Sequence, residues 1–247
     1  MATYHDLFAV GRKYLDKVSQ TQQAPIKATA KMMGDCMLDN GIVQLFGINH
    51  NHAFTMELFY RAGGLMPFHG FNPRDLVLRG IVSKEEYDQP DFLYRKDIID
   101  MMWKTYNVLD NDMFILASDL GNEGCVIDMA IKVKENGHKL VVVTSLTEAK
   151  KVPCKHPSGK KLYELADIVI DSCVDNPDVV IDLGNNVKIN QMATLTGNTI
   201  AQMITAETYK YLVELNVDAP VLLSANVRGA DVHNREISDK YLGRWNA

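Results

Sequence analysis

The stretch IVQLFGINHNHAFTMELFYRAGGL, residues 42–65, runs from an apolar segment through a polar turn into a helical pattern. Its first five residues, Ile42 to Phe46, read as a buried strand, because β-branched and aromatic side chains pack well on a pleated surface. Gly47 breaks that strand. The next five residues, 48–52, set Asn49, His50, Asn51 and His52 at the strand's carboxyl end, and 53–62 resumes a helical pattern that stops at Gly63 and Gly64. Strand, polar turn and helix in that order mark the edge at which open α/β sheets hold their ligands. The same order also serves as a plain connection in any α/β protein.

Residues 113–117 (MFILA) repeat the buried strand, 118–122 (SDLGN) the polar turn, and 123–136 the helix, which Gly137 ends. Residues 140–143 (LVVV) form a third strand with Thr144 and Ser145 at its end, and 168–170 (IVI) a fourth. Short apolar runs alternating with helices of ten or more residues imply a parallel sheet covered on both faces, with right-handed crossovers. Two helices, 4–20 and 25–39, precede the first strand, the second stopped at Gly41. Between Met66 and Asp91 the pattern is irregular, with a short strand expected at 76–78, and 95–106 returns to helix. Residues 179–181 are strand-like before a turn at 184–186, and 192–214 makes one long helix. The expected organisation is an N-terminal helical pair over 1–40 and an α/β domain over 41–247.

Composition excludes several function classes. The chain has 247 residues, 47% of them hydrophobic, and a formal net charge of −5. That is enough for a substantial core, and no Lys/Arg run is dense enough to track a phosphate backbone, so nucleic-acid binding is disfavoured. Cys36, Cys125, Cys154 and Cys173 are scattered with no C-x-x-C pair and read as reduced thiols, which argues for the cytoplasm. Asp6 lies near the start and no sustained apolar stretch occurs, so neither a signal peptide nor a membrane span is expected.

Five segments, ELFYRAGG (57–64), the strand-turn-helix at 113–130, VVVTS (141–145), KHPSGKKLYELAD (155–167) and SANV (224–227), carry a resemblance. The sequence resembles the SIS (sugar isomerase) domain proteins, in a branch similar to phosphoheptose isomerase. The resemblance implies a flavodoxin-like three-layer α/β/α sandwich with a five-stranded parallel sheet, a homodimer or homotetramer, no cofactor, and a site for a sugar or sugar phosphate at the strand ends.

Aldose–ketose isomerisation needs a base to take the proton from the carbon beside a carbonyl, and an acid to serve the neighbouring oxygen. Glu57 matches the glutamate that is the catalytic base in the resembling isomerases; from the residues alone it is equally a partner for Arg61 at i+4. His50 and His52 are two apart in a turn and both are candidates for the crevice as acid or orienter. His156, with Ser158 and Lys160 in a loop punctuated by Pro and Gly, either reaches a ligand or caps a helix. His233 is placed by the resemblance as a histidine that reaches a neighbouring subunit's site. Ser224 and Asn226 either bind a sugar hydroxyl or close a turn. Ser118, Asn122, Thr144, Ser145, Thr194 and Thr196 complete the candidate substrate contacts. A second reading is a non-catalytic module that binds or senses a sugar derivative, and a third makes His50, His52 and Asp119 a metal site of two nitrogens and an oxygen acting on an unphosphorylated sugar.

The chain also departs from the family's pattern. The turn usually reading G-x-G-H-S-H has Asn49 at its second glycine and Asn51 at its serine, and the turn usually reading S-N-S-G has Asp119 and Leu120. Hydroxyls and N–H groups at helix N-termini hold a phosphate dianion. Two of the hydroxyls are missing, and like charges 4 Å apart at an effective dielectric of 20 cost about 4 kcal/mol per unit pair. A phosphate in the family's usual pose is therefore not expected unless Asp119 is neutralised or turned away to cap the helix beginning near Glu123.

Overall fold

A computed structural model of the chain describes residues 4–175 and 179–245. Two helices, α1 (Tyr4–Thr21) and α2 (Gln23–Leu38), lead into β1 (Val43–Gly47) and the short α3 (His52–Leu58). After β2 (Phe68–Phe71) come three helices, α4 (Arg74–Leu78), α5 (Lys84–Tyr87) and α6 (Ile98–Thr105). The next pairs are β3 (Met113–Ala117) with α7 (Gly124–Glu135), and β4 (Lys139–Thr144) with α8 (Leu146–Lys151) and α9 (Leu162–Leu165). The chain then makes β5 (Ile168–Asp171), a hairpin of β6 (Val179–Asp182) and β7 (Lys188–Gln191), α10 (Met192–Glu214) and α11 (Ala230–Ser238).

Five strands form one sheet in the order β2-β1-β3-β4-β5, every neighbouring pair parallel. Alternation along the strands sorts side chains into two cores, as the two-residue period of a strand requires. Val43, Leu45, Met113, Ile115, Val141 and Val143 face α2, α3 and α10, where Ile26, Met33, Phe54, Ile200 and Ile204 meet them. Phe46, Phe114, Leu116, Leu140 and Val142 face the other way, towards Ile98 and Met102 of α6 and Val126 and Ala130 of α7. The result is the expected three-layer α/β/α sandwich.

Three local expectations are corrected. The fifth strand is β2, within the stretch read as irregular, and residues 76–78 lie at the end of α4 rather than in a strand. His69 hides β2: a histidine in a buried strand is paid for by Gln44 next door, whose Oε1 is 2.9 Å from Nδ1. The helix after the first turn stops at Leu58, and Tyr60 takes φ +41°. Tertiary pairing overrides the helical pattern there, because Gly63 donates to the Leu222 carbonyl (2.7 Å) and Met66 to that of Pro220 (2.8 Å).

Candidate functional site

Register places the site. Val43 to Gly47 pair in step with Met113 to Ala117, and Ala117 pairs with Val143, so the turns leaving β1, β3 and β4 emerge side by side. Between β1 and β3 the order of the sheet reverses, the switch point at which open sheets form a crevice. At Gly47 the chain folds back so tightly that an added Cβ would lie 2.7 Å from the Asn51 carbonyl oxygen. Asn49 sits at φ +53°. Asparagine tolerates this left-handed conformation, so the departure from glycine keeps the shape of the turn.

Across the switch point the imidazole Nε2 of His50 contacts Asp119 Oδ2, forming an ion pair when the histidine is protonated. The main chain of Asp119 is fixed from β4: its carbonyl accepts from Thr144 Oγ1 and from the Ser145 N–H, both at 2.9 Å. Asp119 does not cap α7, whose N-cap is Glu123; the group facing its carboxylate is a histidine. Asn51 Nδ2 lies 3.4 Å from the same imidazole nitrogen. Together with Thr144, Ser172, Thr194 and Asn198 these residues line a crevice of about 10 Å³. That is the room of about one water molecule.

Two buried polar atoms of residues that line this crevice, Ser172 Oγ and Asn198 Oδ1, have no hydrogen-bond partner among the described residues. Ser172 is only 4% exposed. Its N–H donates to the Thr144 carbonyl (2.8 Å), and the left-handed Cys173 (φ +62°) turns the chain away after it. A buried polar atom left unpaired costs about 1–3 kcal/mol, which makes the crevice a candidate place for a small polar group, water included.

Glu57 lies beside this crevice, in a groove of about 1,110 Å³ that is also lined by Phe8, Arg12, Leu195 and Gln202. Thr194 and Asn198 line both spaces. With Gln202 they form a polar stripe at four-residue spacing along one side of α10, as i, i+4, i+8 positions do. The Glu57 carboxylate contacts the guanidinium of Arg61 and accepts from Gln202 Nε2.

Other candidates lie elsewhere. His52 opens α3 facing away from the crevice: its Nδ1 is 3.0 Å from Thr55 Oγ1, and Asn72 Nδ2 is 3.5 Å from its Nε2. Burial, then the nearby Arg74, lower its pKa. His50, His52 and Asp119 therefore do not converge, and no group of three His, Cys, Asp or Glu side chains suited to a metal occurs among the described residues. Ser118 Oγ contacts Glu123 and accepts from the Gly121 N–H (3.0 Å). Ser145 Oγ donates to the Val174 carbonyl, and Thr196 is buried with its hydroxyl turned back to the Met192 and Ala193 carbonyls, both at 3.3 Å. Asn122, Leu120 and His156 line a separate cavity beside the start of α7. There His156 bridges Asp128 (2.9 Å) and Ser158 (2.8 Å), whose Oγ accepts from the Lys160 N–H (3.2 Å). Ser224 Oγ accepts from the Asn226 N–H (3.3 Å), closing a turn. His233 Nε2 is 3.0 Å from the Val221 carbonyl oxygen and lines a third groove, which shares Gln202 with that of Glu57.

Ser172, Asn198, Gln202 and Arg12, which line the crevice or the groove of Glu57, are not singled out by the sequence. The readable signal was the four-residue spacing of Thr194, Asn198 and Gln202 along one side of α10.

No helix among the described residues is long and apolar enough to cross a membrane. The SIS domain family model matches residues 7–145. A UPF0309 protein of Geobacillus kaustophilus is 33% identical over 94% of this chain and 91% of its own length. One of Thermoanaerobacter pseudethanolicus is 31% identical, covering 94% of each chain. Among solved structures, phosphoheptose isomerase GmhA from Neisseria gonorrhoeae superposes with a TM-score of 0.53 at 15% identity, over 83% of this chain and 95% of that one. A phosphoheptose isomerase from Francisella tularensis gives 0.53 at 14% identity, over 82% and 96%. At such identity the structural likeness speaks for the fold, whereas the family model and the UPF0309 relatives carry the assignment: the chain belongs to the SIS domain family.

Proposed function

We propose that the protein is an SIS-type isomerase of a sugar or sugar phosphate, acting by proton transfer at the carbon next to a carbonyl. The observation that supports this reading is the continuity of the switch-point crevice with the groove of Glu57 through Thr194 and Asn198. In an aldose, the Glu57 carboxylate takes the proton from C2, and the electrons of that bond form the enediolate. The same carboxylate returns the proton to C1. Meanwhile a proton passes between the two oxygens, a task for an imidazole, and His50 is the one at the crevice. Arg61 and Gln202 hold the carboxylate in place. In a homodimer or homotetramer, His233 is the histidine available to a neighbouring copy's site.

The test is incubation of the protein with a panel of aldoses, ketoses and their phosphates, following interconversion by NMR. Interconversion of one pair supports the reading. Binding without interconversion of any pair supports a sugar-sensing module instead.

A further inference from the structure

The crevice between His50 and Asp119 differs in its chemistry from a phosphate cradle. Among the described residues that line it there is no Lys or Arg. Lys17, from α1, donates instead to the Cys173 carbonyl (3.2 Å) and does not line the crevice. His50 Nε2, which lines the crevice, is engaged by Asp119 and lies near Asn51 Nδ2. Beside that pair the crevice presents Asn198 Oδ1 and the Ser172 hydroxyl, neither with a partner among the described residues. The Asp119 carboxylate and Asn198 Oδ1 can only accept, whereas a hydroxyl both donates and accepts. A phosphate dianion offers no hydrogen to either acceptor, and while His50 is neutral it brings its charge against Asp119. It also carries three terminal oxygens into a void with the room of one water.

A hydroxyl group meets each demand. It donates to Asn198 Oδ1, accepts from Ser172 Oγ–H, and matches one water in size. We propose that this crevice receives a single hydroxyl of the sugar's unphosphorylated end, held by Ser172 and Asn198, and that it is not the place of a phosphate. The inference rests on the isomerase reading for the site it describes, and it reverses the direction in which a phosphosugar would lie. The phosphate-bearing end then extends into the groove that Arg12 lines.

Glucitol, an unphosphorylated hexitol, and inorganic phosphate are the probes. Glucitol has no carbonyl and is not turned over, so its binding reads recognition alone, and failure of the isomerase reading is seen separately in turnover. Each probe is titrated into the full chain with isotope-labelled histidine, the His50 resonance being assigned by its loss in His50→Gln. Glucitol is expected to shift His50, with affinity at least tenfold weaker in Ser172→Ala and in Asn198→Ala, while phosphate leaves His50 unmoved. Three results would overturn the proposal: phosphate shifting His50 at lower concentration than glucitol, glucitol affinity unchanged in both folded variants, or no shift by glucitol up to its solubility. The last would mean that the void holds only a structural water. Circular dichroism checks that each variant is folded, and if both alanine variants fail to fold, Ser172→Cys and Asn198→Leu, which keep the volume but remove the hydroxyl and the amide oxygen, take their place with the same criteria.

Discussion

His50 and Asp119, one from the turn after β1 and the other from the turn after β3, meet side chain to side chain across the point where the strand order of the sheet reverses. The contact joins two segments that the chain separates by 69 positions. Its strength is measurable by a double-mutant cycle on His50→Ala and Asp119→Ala. Contacting polar pairs couple by about 0.5–3 kcal/mol, and a pair only partly shielded from water belongs near the lower end. Urea titration of the four proteins at pH 6 should show a favourable coupling within that range, shrinking as salt is added. Strict additivity would mean that the two side chains do not hold the turns together.

The turn carrying His50 depends on Gly47. An added methyl meets the Asn51 carbonyl oxygen at 2.7 Å, a backbone atom that cannot swing aside as a side chain would. Gly47→Ala should cost about 1–3 kcal/mol of stability, the usual cost of overpacking a tight site. Glucitol binding should weaken in the same variant. An unchanged urea midpoint would contradict the close approach.

The C-terminal segment is tied to the sheet by a buried ion pair. Asp112, wholly enclosed, accepts from the N–H groups of Ile42 (2.8 Å) and Leu109 (3.0 Å) and from Gln44 Nε2 (2.9 Å), and it contacts the guanidinium of Arg244. Removing one partner of such a pair leaves a buried charge uncompensated, at about 3–5 kcal/mol. Arg244→Met is expected near the lower figure, because three hydrogen bonds to Asp112 remain. A loss below about 1 kcal/mol, within reach of an exposed pair, would show that the segment is not anchored there.

Burial lowers the pKa of His69 to about 4. An unfolded chain takes up that proton near pH 6.5, so between the two values the unfolded state binds more protons and stability falls as pH falls. The depressed value corresponds to about 3 kcal/mol lost progressively from pH 7 to pH 4. His69→Gln should show a flatter dependence of the urea midpoint over that interval than the parent protein. Parallel curves for the two proteins would remove His69 as the cause.

The sheet was legible wherever apolar runs were long. Strands at Met113 and Leu140 needed no tertiary information, since both their faces are buried and their residues show it. Phe68 to Phe71 escaped because its histidine is satisfied by Gln44 of the adjacent strand, a partner that only the fold supplies. The site was legible in part. Two histidines spaced as His50 and His52 look equivalent in a turn, yet one lies in a 3-10 turn and the other opens α3, where residues two apart point to different sides. Thr194 and Thr196 parted for the same reason: Thr194 reaches the crevice and Thr196 packs inside the core. Nothing in the sequence marks Ser172, which becomes a candidate only because its hydroxyl has no partner among the described residues after folding.

A proton that Glu57 removes from the carbon next to a sugar carbonyl exchanges with solvent, so deuterium incorporation reads this step alone. The protein is incubated in D2O with each member of the sugar and sugar phosphate panel, and NMR follows the loss of the C–H signal beside the carbonyl. Exchange is expected with at least one of them. Glu57→Gln, folded by circular dichroism, should reduce the rate by well over tenfold, that is by more than about 1.4 kcal/mol in barrier. Exchange in Glu57→Gln at more than a tenth of the parent rate, or no exchange by the parent protein with any member of the panel, would contradict this role of Glu57.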